Sequence, residues 1–282
     1  MRNAVAAKRV VIDSQFVEPS NRRAHFGNVE RCPTLCSSCN LKEMCLPCGM
    51  KSAGSKVLDD LFYNRRTVKR GASLYRAGMP FDSLFTVRSG FFKSYAVTED
   101  GREQVTGFQM AGEIVGLDGI ETDSHNVNVE ALEDSVVCVI PFAQLEELAS
   151  RVPSLQHQLH RMMSREIVRD QGVMMLLGSM HAEERVTAFL LNLSQRFSAR
   201  GYASAEFMLR MTREEIGSYL GLKLETVSRI FSKLQQSGLI GLDKKCVRLL
   251  DLAALRAILG RTCQPLRQID IHNHDNIKAV RA

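Results

Sequence analysis

Short apolar segments separated by glycines fill the chain from about Val57 to Phe142. The segments are five to seven residues long and rich in β-branched or aromatic residues, which is typical of strands. Glu99-Asp100-Gly101 is a turn signal between two of them. The candidate strands are residues 83–88, 91–97, 104–108, 126–131 and 135–140. Together they predict an antiparallel β roll over residues 57–150.

The hydrophobic period changes after Pro153, where selected positions alternate gaps of four and three residues. This spacing is that of a two-stranded coiled-coil seam, and it predicts a dimerisation helix over residues 151–181. Its copy would pack against it across a two-fold axis, unless the helix packs on its own domain instead. The seam positions are Gln156, His160, Met163, Ile167, Asp170, Met174 and Leu177.

Asp170 is the informative seam position. In a dimer it would lie opposite Asp170 of the other subunit, and two buried carboxylates repel each other unless something offsets their charge. Ile167 and Met174 flank it at seam spacing, and Met163 is the seam position before Ile167. We therefore interpret Met163, Ile167 and Asp170 as a dimer switch.

Residues 182–262 carry the pattern of a winged helix-turn-helix. Thr212-Arg213-Glu214-Glu215 has capping-box spacing and opens a short helix. Gly221 supplies a turn, a second helix covers residues 224–236, and residues 239–251 read as a hairpin wing. A purely structural helical hairpin would share this spacing.

The second helix of this motif has two chemically different faces. Its apolar face carries Leu224, Val227, Ile230 and Leu234. Its polar face carries Glu225, Ser228, Arg229 and Ser232. Arg229 can bind guanine with two hydrogen bonds, Glu225 can accept from a cytosine amino group, and Ser228 can touch a base or a thymine methyl. The helix is therefore predicted to read promoter DNA.

Composition is consistent with this organisation. The chain has 282 residues, enough for about two domains, and its net charge of +6 favours anionic partners without requiring them. No segment approaches the roughly 18 to 20 apolar residues of a membrane helix, and no secretory signal opens the chain. We therefore expect a cytoplasmic protein without a membrane partner. No catalytic triad, glycine-rich phosphate loop or histidine-rich metal motif emerges, so no enzyme activity is predicted.

Both ends of the chain are predicted to be tails. Residues 1–31 are basic, have no periodicity and are predicted to be mobile, and residues 263–282 form the second tail.

The cysteines are unevenly distributed. In a reducing cytosol, cysteines that lie only a few residues apart in the sequence are typical of a metal centre. Spacing alone leaves open a four-cysteine zinc site or an iron-sulfur cluster. Residues 32–56 hold the cysteine-rich group Cys32, Cys36, Cys39, Cys45 and Cys48, and a further one, Cys138, lies alone in an apolar run.

A set of short motifs runs along the chain in a fixed order. They are Cys36-Ser-Ser-Cys39, Cys45-Leu-Pro, residues 87–95, 103–108, 131–133, 138–142, 174–177 and 182–185, and Leu224-Glu-Thr-Val-Ser-Arg229. In this order they resemble the fumarate and nitrate reduction regulators, oxygen-responsive members of the superfamily of the cyclic AMP receptor protein. The resemblance covers roughly residues 32–255. It implies an α+β fold with a cupin-like or cyclic-nucleotide-binding-like roll, a long dimerisation helix and a C-terminal winged helix-turn-helix.

The resemblance also implies which cysteines bind a cofactor. In that family three N-terminal cysteines and one from the roll hold a 4Fe-4S cluster. Cys32 has a non-ligand counterpart in some members, and Cys48 departs from the family pattern. Such a homodimer binds TTGAT inverted repeats while its cluster is intact and loses dimerisation and DNA binding on cluster oxidation. The corresponding ligands here are Cys36, Cys39, Cys45 and Cys138.

Further partners follow from the same resemblance. Ser89, Gly101 and Arg200 fall where the family contacts RNA polymerase. His125-Asn126 stands where nucleotide-binding branches have an Arg-Ser pair for the cyclic phosphate, so no cyclic nucleotide is expected. The remaining alternative is a zinc-stabilised or thiol-redox DNA-binding regulator of the same superfamily without an iron-sulfur cluster.

Overall fold

The chain folds into a β roll, a long helix and a helical C-terminal unit. The computed structural model describes residues 29–31, 36, 39–41, 44–45 and 64–260. Its architecture confirms the predicted α+β fold with a roll, a long helix and a winged helix-turn-helix. No helix in these ranges has both the length and the apolar character needed to cross a membrane.

Two antiparallel sheets form the roll, with strand orders β1-β2-β9-β4-β7 and β3-β8-β5-β6. The strands are β1 (Val29–Arg31), β2 (Asn64–Val68), β3 (Ser73–Tyr75), β4 (Ser83–Ser89), β5 (Phe91–Val97), β6 (Glu103–Met110), β7 (Ile114–Val115), β8 (Asn128–Ala131) and β9 (Ser135–Pro141). Every predicted strand is present, and β1, β2, β3 and β7 are additional. The short strand β1 lies at the end of the segment predicted as a tail, whose residues 1–28 lie outside the described ones.

Side chains from both sheets meet in one apolar core. On the central strand β9, Val137 and Val139 are buried and pack with Phe92 and Val129 of the other sheet. Because side chains alternate along a strand, the half-buried Cys138 points to the opposite face. The pleat therefore carries this cysteine to the outside of the five-stranded sheet.

Two helices follow the roll. The first, α1, spans Phe142–Arg151, and the second, α2, spans Pro153–Ser179. Proline suits the first turn of a helix, where its missing N–H would have no intrahelical partner. The 27 residues of α2 confirm the predicted long helix.

The two halves of α2 have different surroundings. Leu155 and Leu159 of the N-terminal half are buried against roll residues such as Leu84. In the second half Ile167 is 57% exposed and Met174 is 63% exposed. Large apolar side chains exposed at seam spacing are typical of a face that packs against another chain.

The C-terminal unit contains four helices and a small sheet in the order β10-β12-β11. Its elements are α3 (Ala182–Ala199), β10 (Glu206–Met208), α4 (Arg213–Leu220), α5 (Leu224–Gln236), β11 (Ile240–Asp243), β12 (Cys246–Leu249) and α6 (Leu252–Gly260). Strands β11 and β12 confirm the predicted wing. Strand β10 is an addition that the sequence pattern did not indicate.

Local side-chain chemistry fixes the helix-turn-helix. Thr212 Oγ1 accepts from the backbone N–H of Glu215 at 3.1 Å, and the Glu215 carboxylate accepts from the backbone N–H of Thr212 at 2.7 Å. These two bonds confirm the predicted capping box. Gly221 then ends α4 at φ 63°, a left-handed conformation that glycine adopts without strain.

The apolar face of α5 differs from the prediction at one position. Val227, Ile230 and Leu234 are buried as expected, whereas Leu224 is 44% exposed and Phe231 is buried instead. The buried stripe has the helical spacing i, i+3, i+4 and i+7. Leu224 is the first residue of the helix and lies one turn before this stripe.

A largely buried ion cluster, in which the Glu113 side chain is 15% exposed, joins the roll to α2 and α3. Glu113, between β6 and β7, accepts hydrogen bonds from Arg196 at 2.6 Å and from Arg200 at 2.6 Å. Arg169 of α2 lies 3.4 Å from the same carboxylate. Burial raises the pKa of Glu113, but the charges of the three arginines outweigh it and lower the pKa to about 2.

Polar contacts also hold α4 on the roll. Lys93 of β5 pairs with Glu215 at 2.9 Å. The backbone N–H of Val105 donates to Ser218 Oγ at 2.8 Å. The C-terminal unit is therefore fixed to the roll by both its first and its second helix.

We expect Glu113→Gln to lower the free energy of unfolding by about 3 kcal/mol at pH 7, because it leaves buried arginines uncompensated. Thermal denaturation measures the change. The control Glu147→Gln breaks an exposed pair with Arg151 and should change stability by less than about 0.5 kcal/mol.

The pH dependence of this effect has a defined sign. The pKa of Glu113 falls from its usual 4.5 to about 2, so its stabilisation is present above about pH 4.5 and is lost as the pH falls toward 2. The difference between wild type and Glu113→Gln should shrink over that window. Equal stability of the two proteins at pH 7 would contradict a stabilising role.

Candidate functional site

Cys138 lies at the centre of the five-stranded sheet, on its outer face. Arg65 of β2 and Thr86 of β4 are its direct cross-strand neighbours. Residues paired in this way have Cβ atoms about 4.5–5.5 Å apart, so both flank the thiol. Burial raises the pKa of Cys138, the charges of Arg65 and Arg88 oppose that rise, and the Cys39 thiol adds to it.

Cys39 lies beside this patch of the sheet. Arg88 of β4 donates from Nη1 to Cys39 Sγ at 3.0 Å. The backbone N–H of Cys39 donates to the carbonyl of Cys36 at 3.2 Å. Arg88, which binds Cys39, lies two residues along β4 from Thr86, the cross-strand partner of Cys138. Strand β4 therefore connects two predicted ligands that are distant in the sequence.

Cys36 and Cys45 belong to an apolar contact between the roll and α2. Cys45 is buried in a cluster that includes Leu84 and Leu155, and Cys36 packs at its edge. Gln158 of α2 donates to the Cys45 carbonyl at 3.5 Å. The cysteine segment therefore touches both the roll and the long helix.

The donor chemistry of this site fits a thiolate-bound metal group. Thiolates are ligands for iron-sulfur clusters and zinc, and nearby guanidinium groups offset their negative charge. Thr86 Oγ1 is buried with no hydrogen-bond partner among the described residues. Within those residues no group of three or more His, Cys, Asp or Glu side chains is placed to hold a metal ion. Cys32, Cys48 and Cys263 lie outside them, and the predicted ligand set stays a prediction.

The predicted base-reading residues lie on the outward face of α5. Glu225 and Arg229 are exposed, and Ser228 is half-buried. Val227 and Ile230 are buried in the core of the C-terminal unit and fix the opposite face. Exposed polar groups on the second helix of such a motif can enter the major groove of DNA.

The three predicted switch residues lie along α2. Met163 is half-buried, and Ile167 and Asp170 are exposed. Burial raises the pKa of the neighbouring Glu166 to about 7; the charge of Arg169 opposes this rise and the charge of Asp170 adds to it. The middle of α2 therefore carries closely spaced acidic groups.

Two of the three predicted polymerase contacts lie at the surface. Ser89 ends β4 and is exposed, and Gly101 lies in an exposed turn between β5 and β6. Arg200 differs, because its side chain is only 6% exposed and is bound to Glu113. The structure does not support the predicted role of Arg200, since a guanidinium buried in an ion cluster is not presented to a partner.

His125-Asn126 is part of an internal network. The buried His125 ring stacks on Tyr75 with centroids 3.6 Å apart. Asp118 accepts from the backbone N–H groups of Asn126 at 2.8 Å and Val127 at 3.2 Å, and from the Tyr75 hydroxyl at 3.0 Å. The half-buried Asp118 carboxylate thus occupies the backbone donors of Asn126 and Val127.

Sequence reasoning missed Arg65, Thr86 and Arg88 as neighbours of the cysteines. Thr86 and Arg88 are polar positions two residues apart in a predicted strand, which indicates one outward face. The alternation within a strand does not reveal its register with a distant strand. The placement of Arg65 and Thr86 beside Cys138, and of Arg88 beside Cys39, therefore needed the structure.

Comparison with known proteins agrees with this organisation. A family model for the cyclic nucleotide-binding domain matches residues 65–152, and one for the Crp-like helix-turn-helix domain matches residues 184–258. The chain is 48% identical to the transcriptional regulatory protein btr of Bordetella pertussis, over 80% of this chain and 93% of that protein. It is 47% identical to the transcriptional activator protein anr of Pseudomonas aeruginosa, over 80% of this chain and 92% of that protein.

Two further relatives bear on the family. The fumarate and nitrate reduction regulatory protein of Salmonella typhimurium is 41% identical over 82% of this chain and 92% of its own length. The solved structure of FixK2 from Bradyrhizobium japonicum is 30% identical with a TM-score of 0.64, covering 69% of this chain and 96% of that one. With its roll, long helix and helix-turn-helix, the chain belongs to the CRP/FNR family of transcription regulators, as a relative of the fumarate and nitrate reduction regulators.

Proposed function

We propose that this protein is an oxygen-sensing homodimeric transcription regulator. It binds TTGAT-type inverted repeats in promoter DNA while a 4Fe-4S cluster is intact, and cluster oxidation ends dimerisation and DNA binding. The observation that carries the proposal is that Cys39, from the N-terminal segment, and Cys138, from the central strand, both border the same stretch of β4, at Arg88 and at Thr86. The relatives that are named as activators and as fumarate and nitrate reduction regulators support it.

The surroundings of the cysteine site support this proposal. When bound, a 4Fe-4S cluster supplies a redox-active group that dioxygen can reach and damage. Arg65 and Arg88 offset the charge of the thiolates, and Leu84 and Leu155 limit access of water from the apolar side. The residues that would hold the cluster are Cys36, Cys39, Cys45 and Cys138.

The cysteine segment has a direct mechanical connection to α2. Cys45 is buried in one cluster with Leu155, and its carbonyl accepts from Gln158. A change in the segment therefore acts on the helix that also carries Ile167 and Asp170. A bias of about 3 kcal/mol changes a two-state equilibrium by more than about 100-fold, so a modest shift in this packing suffices to change dimerisation.

DNA reading follows from the two-fold symmetry of the proposed dimer. Each copy presents one α5, whose Arg229, Glu225 and Ser228 would contact bases of one half-site in the major groove. Ser89 and Gly101 lie exposed on the roll and would contact RNA polymerase in the cytoplasm. In this scheme residues 32–56 bind the cluster, residues 57–150 form the sensor roll, residues 151–181 dimerise and residues 182–262 bind DNA.

Cysteine replacement tests the ligand set. Anaerobically purified protein should be brown and contain iron and acid-labile sulfide, and replacing any one of the four proposed ligands by Ser should abolish both, because each thiolate holds one iron. The matched control is Cys246→Ser, at a half-buried thiol on the wing, which should retain the cluster. Colourless protein with stoichiometric zinc would support the alternative regulator, and full occupancy in Cys138→Ser would contradict the assignment.

Replacement of Arg229 tests base reading. Arg229→Ala should weaken operator binding by about 1 to 3 kcal/mol and relax the preference at one guanine, because a base-specific contact is lost. Dissociation constants for operator and random DNA at one salt concentration measure this. Arg151→Ala, at an exposed arginine of α1, should leave both unchanged. Equal weakening on both DNAs would assign Arg229 to the phosphates instead.

Replacement of Asp170 tests the dimer switch. Asp170→Ala removes the repulsion between two carboxylates in the seam, so the cluster-free protein should dimerise and bind DNA in air. Aerobic sedimentation and DNA binding measure the outcome. Glu147→Ala, which removes an exposed carboxylate outside the seam, should behave as wild type. A monomeric, inactive Asp170→Ala protein would show that this carboxylate does not set the balance.

A further inference from the structure

Strand β4 presents two polar side chains to the cysteine site. Phe85 and Val87 are buried in the core of the roll. Side chains alternate along a strand, so Thr86 faces outward with its cross-strand partner Cys138. Arg88 lies at an irregularity in the pairing of β4 with β9, between Val87 and Ser89, and its side chain is placed by its hydrogen bond to Cys39. Neither side chain is among the four proposed ligands.

Thr86 holds a hydroxyl in an unfavourable position. The residue is only 2% exposed, and its Oγ1 has no hydrogen-bond partner in the part of the chain that the structure describes. Burying a hydroxyl without a partner is destabilising. Thr86 is the direct cross-strand neighbour of Cys138. The hydroxyl of Thr86 can therefore reach a sulfur atom at this cysteine and donate a hydrogen bond to it.

Arg88 brings a second donor to the same place. Its Nη1 donates to Cys39 Sγ at 3.0 Å. The planar guanidinium carries five N–H donors and a permanent positive charge. A cleft of about 750 Å³ between the roll and the C-terminal unit is lined by both Cys39 and Arg88, so small molecules reach this side of the site from solvent.

We propose that Thr86 and Arg88 donate hydrogen bonds to the sulfur atoms of the cysteine site and thereby prolong the lifetime of the cluster in air. This inference rests on the proposed function. Hydrogen bonds to cluster sulfurs withdraw electron density and favour the more reduced state, which raises the reduction potential. Both side chains are positioning residues that act on the ligands Cys39 and Cys138.

The hydroxyl of Thr86 can be removed with little change in shape. Thr86→Val should shorten the half-life of the cluster absorbance in air by about tenfold, the lower end of what loss of an outer hydrogen bond costs a metal site, and should lower the reduction potential. Thr86→Ser keeps the hydroxyl and should keep the wild-type half-life. Thr187→Val is the matched control, because it removes another buried hydroxyl without a described partner, in α3.

The melting temperature of the cluster-free proteins separates this role from a structural one, because it should not fall with the cluster lifetime. Thr86→Val should melt at the same temperature as the wild type or higher, because it removes an unpaired buried hydroxyl. A purely structural role would instead lower the melting temperature together with the cluster lifetime. Equal half-lives for Thr86→Val and wild type would overturn the inference, and so would equal losses in Thr86→Val and Thr86→Ser.

The guanidinium is tested in the same assay. Arg88→Gln should also shorten the half-life and lower the reduction potential, whereas Arg102→Gln, at an exposed arginine of the β5–β6 turn, should not. Full iron and sulfide with an unchanged half-life in Arg88→Gln would overturn its part. Wild-type protein without iron and sulfide would overturn the proposed function itself, so the two failures are distinguishable.

Discussion

The arrangement of the molecule depends on the ion pairs that the Glu113 carboxylate makes with three arginines. This carboxylate lies on the roll and binds Arg169 from the long helix and Arg196 and Arg200 from the C-terminal unit. An ion removed from water is stable only where opposite charges surround it. Moving the C-terminal unit away from the roll would strip two arginines from this carboxylate. The C-terminal unit is therefore held against the roll by ion pairs that a separation of the two would break.

This ion cluster is connected to the cysteine site through consecutive contacts. Cys39 accepts from Arg88, and the neighbouring Val87 donates its backbone N–H to the carbonyl of Glu113 at 2.9 Å. The backbone N–H of Gly112 returns a bond to the carbonyl of Val87 at 2.8 Å. The strand that borders the cysteines thus also holds the turn that presents Glu113. A displacement of this end of β4 therefore bears directly on both the cysteine contact and the turn that carries Glu113.

Local patterns made much of the fold predictable, and long-range pairing made the rest unpredictable. The capping box at Thr212 and Glu215 is readable because both partners lie within one turn of helix. The role of Arg200 was not readable, since its carboxylate partner Glu113 lies 87 residues earlier in the sequence. The same holds for the neighbours of Cys138, which depend on the register of strands that only the assembled sheet defines. Family resemblance supplied the expected ligands, but not the side chains that surround them.

The ion cluster also bears on the sensitivity of the dimer seam. Arg169 is the cation adjacent to Asp170, yet its guanidinium pairs with Glu166 and lies 3.4 Å from Glu113. In the proposed dimer, two Asp170 carboxylates would meet while this arginine is engaged elsewhere. Like charges about 4 Å apart repel by about 4 kcal/mol at the effective dielectric near a protein surface, which is nearly a thousandfold in an equilibrium constant. In that dimer the seam would depend on additional packing, and the contact of Cys45 with Leu155 and Gln158 of α2 is where the proposed function locates it.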